Sequence, residues 1–283
     1  MVESEQSQRS IEWHRTRGAR ALLALLGMIA LRVPATSQDT RGDSSRPFEA
    51  RLMALVKGYT KQNDAYEEAK RQAKSEEERT AAAALRPDCG SLAKEITEIA
   101  REAPDSSTAS SAWLVMVQIA PKLPDPVLMD EAVTALLDKY ATQFNLDNLL
   151  GKLYAVRYYD ELIGPETYIE YVRRVAGKSS PGPTQAEALF TLGTELTQVA
   201  IAESHQAEEA RRCFEEVRKN YSETKSKDGR TYGDNLERWL FELEHLLIGM
   251  VAPEIEEEDL AGVKFKLSDY RGKVILLDFW GNW

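Results

Sequence analysis

The feature that most constrains this chain is a helical spacing of apolar residues, sustained from about residue 48 to 247 and cut into pieces by proline. Phe48, Leu52, Leu55, Val56 and Tyr59 fall at three- and four-residue steps, which puts them on one face of a helix. Glu67 to Glu78 is charged enough to be a solvated face or a loosely packed extension. Leu92, Ile96, Ile99 and Ala100 form a second stripe between Pro87 and Pro104. The run from Ala112 to Ala120, closed by Pro121, is apolar nearly all round, which predicts a buried helix.

Further helices are predicted over Val127 to Tyr140, Leu146 to Leu162 and Thr167 to Ala176. Asp125-Pro126 and Gly164-Pro165 place proline where a helix begins and an N–H would have no partner anyway. Ser179-Ser180-Pro181-Gly182-Pro183 is the clearest internal break, a loop inside one helical region. Thr184 to Tyr221 then reads as a helical hairpin. Ala186, Leu189, Leu192 and Gly193 mark its first half, and Ala207, Ala210, Phe214 and Val217 its second. Leu192-Gly193 and Ala210-x-x-x-Phe214 echo a tetratricopeptide unit, although the halves lie several residues too far apart. Two packed helices without a repeat array explain the pattern equally well. Leu236, Leu240, Leu243, Leu246 and Leu247 make one more helix.

The two ends differ from this middle. Arg15, Arg17 and Arg20 precede an uncharged run, Ala21 to Leu31, and small residues follow at 33–37, the three parts of an export signal in order. Eleven helical residues span about 16 Å against roughly 30 Å of hydrocarbon, which favours cleavage after Ala35 over a spanning helix. The expected product is exported, to the periplasm or cell envelope, with 36–47 as a flexible leader. Removing 1–35 takes away Arg9, Arg15, Arg17, Arg20 and Arg32 against Glu3, Glu5 and Glu12, leaving 31 basic and 43 acidic side chains. Such a surface repels a phosphate backbone and excludes a nucleic-acid partner.

Residues 248–283 change period. Val263 to Leu267 alternates as a half-buried strand does, Ala261-Gly262 supplies a turn before it, and Lys273 to Trp280 has the continuous apolar run of a central strand. Glu254 to Asp259 lacks the spaced oxygen ligands and glycine of a calcium loop and reads as a solvated linker. Three blocks stand out in order: Gly249-x-x-Ala-Pro253, Leu267-Ser-Asp-Tyr-Arg-Gly-Lys273 and Asp278-Phe-Trp-x-x-Trp283.

These blocks resemble the start of a thioredoxin-like redoxin domain. They are similar to exported thiol oxidoreductases of cytochrome maturation and to the broader alkyl hydroperoxide reductase/thiol-specific antioxidant family. An exported helical region before such a domain is also similar to large planctomycete-type proteins. The expected fold is therefore a mainly α N-terminal region over 48–247, followed over 248–283 by the incomplete β start of an α/β thioredoxin-like fold. The resemblance implies that Asp278 is the buried carboxylate beneath the active site, a proton relay with a raised pKa. It implies that Trp280 and Trp283 flank the active-site loop, and that a Cys-x-x-Cys follows Trp283 at a helix N-terminus that stabilises a thiolate. No other group in the segment replaces that thiolate, so the chain as written is expected to be inactive, a fragment of an exported thiol–disulfide oxidoreductase. The Trp-x-x-Trp ending favours disulfide exchange over peroxide reduction. A thiol peroxidase of the same superfamily, and a non-catalytic helical interaction module with a vestigial redoxin segment, are the alternatives. Implied partners are protein thiols or disulfides, a thiol reductant and a protein docked on the helices, with no cofactor and no metal.

The helical region offers little chemistry of its own. His205 and His245 stand alone in helices and form no spaced metal set, and His14 belongs to the signal. Cys89 and Cys213 lie over a hundred residues apart without a Cys-x-x-Cys, and read as two independent buried or partly buried thiols. Tyr154, Tyr158, Tyr159, Tyr168 and Tyr171 are expected in core or inter-helix contacts rather than in a binding groove.

Overall fold

The computed structural model describes residues 46–124, 126–141, 145–158 and 162–278. The predicted export signal, Tyr159, Trp280 and Trp283 lie outside them. The described residues are mostly helical, with one small two-stranded sheet. They form two compact units that part between Ala188 and Leu189, inside a helix.

Unit 1 holds α1 (Arg46–Gln72), α2 (Glu76–Ala83), α3 (Cys89–Glu102), α4 (Ser107–Ile119), α5 (Val127–Asp138), α6 (Leu146–Tyr158) and α7 (Pro165–Lys178). The helix α4 is its centre, packed by α1, α3, α5 and α6. Its run Ala112, Trp113, Leu114, Val115, Met116 and Val117 is buried, as an all-round apolar helix must be. The stripe Leu92, Ile96, Ile99 and Ala100 of α3 is likewise buried. Side-chain caps start these helices: Ser106 Oγ accepts from Ala109 N at 3.2 Å, and Asp88 Oδ1 accepts from Gly90 N at 2.9 Å and Ser91 N at 3.1 Å.

Two sequence expectations are refined here. The described residues begin in helix at Arg46, so 46 and 47 of the expected leader are helical. The charged stretch 67–78 is divided by Ser75, which opens α2 with a capping box to Glu78. Predicted helix ends are otherwise close, with Pro165 at the first position of α7. Polar ties cross the bundle at its rim: Arg174 donates to Asp130 at 2.9 Å and to Thr134 at 2.6 Å, and Arg101 to Glu131 at 2.8 Å. Lys178 pairs with Asp138 and holds that carboxyl below its ordinary value, chiefly by its hydrogen bond.

Unit 2 continues from Leu189 in α8 (Pro183–Val199) through α9 (His205–Tyr221) and α10 (Tyr232–His245). The helices α8 and α9 come close at Gly193, where a Cβ would sit 2.5 Å from Cε1 of Phe214. Only glycine fits there. Phe190 packs beside Phe214 and Tyr232, with ring centroids 6.1 and 5.2 Å apart. Thr231 opens α10 with a capping box to Asp234.

The sheet is an antiparallel hairpin, β1 (Glu256–Glu258) against β2 (Lys264–Lys266). Glu256 faces Lys266 and Glu258 faces Lys264, so within the acidic run 254–259 expected to be a linker, Glu256–Glu258 form a strand with lysines opposite its two ends. The strand predicted over Lys273 to Trp280 is not formed at Val274–Leu277, which are exposed and outside any ladder. A central strand takes its hydrogen bonds from strands on both sides. Among the described residues β1 and β2 pair only with each other, and no strand flanks this segment on either side.

Candidate functional site

The first two redoxin-like blocks lie in unit 2, and what they do there is first a matter of backbone geometry. Ile248 forms a parallel bridge with Ile201, and Ala202 N donates to Ile248 O at 2.9 Å, tying the segment to the α8–α9 loop. Gly249 follows at φ 97°, a left-handed conformation that side chains other than glycine rarely adopt. The second block is a turn device. Asp269 Oδ2 accepts from Lys266 N at 3.0 Å, residues Leu267–Tyr270 make a 3-10 turn, and Gly272 at φ 84° reverses the chain. Glu254 Oε1 accepts from Ser268 N at 2.9 Å, and hydrogen bonding by Ser268, first through its side chain and then through its backbone, holds the Glu254 carboxyl below its ordinary value. Between the strands, Asp259 Oδ1 accepts from Ala261 N at 2.8 Å and Val263 N at 2.9 Å, with Gly262 in the left-handed region, as the expected Ala261-Gly262 turn requires.

The chemistry expected of this segment is not assembled by the described residues. Asp278 is exposed and outside any strand, so the buried setting that the resemblance implies for it is not formed there. Trp280 and Trp283 lie outside the described residues. His205 and His245 are exposed on their helices, the latter against Phe241 with ring centroids 4.8 Å apart. Among the described residues no cluster of His, Cys, Asp or Glu has the make-up of a metal site, and no helix is long and apolar enough to cross a membrane. Cys89 is half-buried and Cys213 is buried, and no disulfide joins them.

The tyrosines separate into two groups. Tyr168 and Tyr171 are core residues of α7, and burial pushes the Tyr171 phenol up. Tyr154 and Tyr158 are exposed on α6, with Tyr158 edge-on to Tyr168 at 5.9 Å. Sequence reasoning passed over a groove in unit 1 lined by Tyr59, Tyr66, Lys70, Arg86, Cys89 and Lys122. Tyr59, Asn63, Tyr66 and Lys70 share one face of α1 and were a readable signal, but Arg86 and Lys122 come from distant parts of the chain.

Comparison with known proteins finds short similarities. Thiol-disulfide oxidoreductase ResA of Geobacillus kaustophilus (strain HTA426) is 50% identical over 36 residues, 13% of this chain and 21% of that protein. The ResA of Geobacillus thermodenitrificans (strain NG80-2) is 47% identical over 36 residues, with the same coverage. The chain thus matches about a fifth of the length of these curated relatives. No family model matches, and no solved structure does.

Proposed function

We propose that residues 248–283 are the opening of a thioredoxin-like domain, and that the protein in its complete form is an exported thiol–disulfide oxidoreductase whose Cys-x-x-Cys follows Trp283. The observation that carries this reading is the 36-residue similarity to two thiol-disulfide oxidoreductases, which we assign to the terminal segment with its three ordered blocks. The geometry adds support. Gly249 and Gly272 occupy left-handed turns, and Asp269 caps the turn between them, so the residues that carry the resemblance are those the local backbone needs.

In this reading the thiolate attacks a substrate disulfide, a mixed disulfide forms, and the second cysteine releases the reduced product. Asp278 acts as the proton relay once later strands cover it, and Trp280 and Trp283 flank the loop. Protein disulfides are the substrates and a thiol reductant restores the dithiol. The α-helical units position partners, with the Gly193–Phe214 hairpin as a tetratricopeptide-like unit.

Insulin reduction tests this reading on the protein translated through the frame downstream of the Trp283 codon. Turnover abolished by Cys→Ser at the first added cysteine is the expected result. A downstream frame with no Cys-x-x-Cys, or an intact motif without turnover, overturns the enzyme and leaves the helical interaction module.

A further inference from the structure

A groove in unit 1 gathers basic side chains of this acidic chain. The chain carries a net charge of −10, yet among the described residues Lys70, Arg86 and Lys122 line one groove with Glu67 as the carboxylate beside them. Among the described residues no carboxylate lies within ion-pair distance of Lys70 or Arg86. The nearby acid Asp88 is engaged by Ser91 and by the first amides of α3, so that helix end is already capped and is not itself the site. Two rings complete the walls. Lys70 Nζ lies 5.8 Å from the Tyr66 ring centroid, and Lys122 Nζ lies 5.6 Å from that of Tyr59 while donating to its hydroxyl at 2.9 Å. The groove therefore brings cations and aromatic rings together, the pairing that suits an anionic group attached to a planar ring.

Size narrows the ligand further. The groove has a volume of about 220 Å³, below the roughly 300–1,000 Å³ of sites for drug-sized molecules, which leaves room for one ring and its charged substituent. We propose that this groove is a binding site for a small anionic aryl group, carboxylate or phosphate, presented by a free molecule or by a peptide. The site is independent of the redoxin reading, since all its residues belong to unit 1.

Cys89 lines the groove and reports on it. In the full chain, its reaction rate is measured with the dianionic 5,5′-dithiobis(2-nitrobenzoate) and with the neutral 4,4′-dithiodipyridine. In each case the thiolate attacks one sulfur, a protein–aryl disulfide forms and an aryl thiolate leaves. Cys89→Ala supplies the background. The anionic-to-neutral rate ratio should exceed that of N-acetylcysteinamide by about fivefold at low salt and collapse toward it in about 0.5 M salt. K70E/R86E should invert the preference, and E67Q should increase it. A ratio equal to that of the free thiol, or one indifferent to K70E/R86E, overturns the proposal. The second readout needs no thiol reactivity: amide shifts of α1 should saturate with phenyl phosphate below about 10 mM and with p-toluate likewise, and lose saturation in K70E/R86E. Absence of saturation with both probes overturns the proposal as well. Saturation by the free anions with none by a peptide ending in an aryl carboxylate assigns the site to small molecules.

Discussion

Met116 of α4 and Leu276 of the terminal segment sit in comparably apolar runs and meet opposite fates. Met116 is 0% exposed at the centre of unit 1, while Leu276 is 93% exposed. The helix makes its own backbone hydrogen bonds and needs only side-chain neighbours, which α1, α3, α5 and α6 provide. A strand borrows its hydrogen bonds from other strands, so the same hydrophobicity in Val274–Leu277 yields no strand where no neighbour pairs with it. Local pattern is sufficient for one and insufficient for the other.

The largest effect that separates the two regions is a core truncation. Leu149→Ala in α6, where the side chain is fully buried, should lower stability by about 2–5 kcal/mol, whereas Leu276→Ala should change it by less than about 0.5 kcal/mol. Urea unfolding followed by circular dichroism measures both; similar losses would show that the terminal segment is packed after all. Next comes the close approach in unit 2. Gly193→Ala should cost about 1–3 kcal/mol because Phe214 is fully buried and cannot retreat, and Phe214→Leu should recover part of that loss in the double variant. Additive effects would mean that the two helices meet elsewhere.

A smaller effect probes the start of the redoxin-like segment. Gly249→Ala forces a side chain into the left-handed region at a cost of about 1–2 kcal/mol. It should be read as faster hydrogen exchange at Ala202, whose amide donates to Ile248, with unit 1 unchanged. Unaltered exchange would show that the turn does not hold the segment. The smallest effect is electrostatic. Asp228 is brought down to about 2, first by Ser226 and then by Arg230, in the turn between α9 and α10. Its contribution is fully present above the ordinary value of 3.8 and is lost as pH falls through about 2. Carboxyl NMR should give that low midpoint, and Arg230→Ala should raise it.

Legibility in the sequence followed the same division. The buried faces of α3 and α4 and the proline-marked helix starts could be read because a helix is specified by neighbours three and four residues away. The Glu256–Glu258 strand was not legible, since three consecutive acids carry no period and are placed only by Lys264 and Lys266 opposite them. The Val263–Leu267 alternation was visible, yet the matching run 273–280 was not realised over its described residues. The three-block resemblance marked the redoxin-like segment, but Asp278 lacks the cover its expected role demands. The cationic groove escaped notice because its charges converge only in three dimensions.

The proposed redoxin reading requires Val274–Leu277 to join a sheet in a longer protein. Amide hydrogen exchange across these four residues, in this chain and in the protein translated through the downstream frame, tests it most directly. Exchange near the unprotected rate in this chain and strong protection in the longer protein are the expected results. Protection already present in this chain, or absent from both, would contradict it.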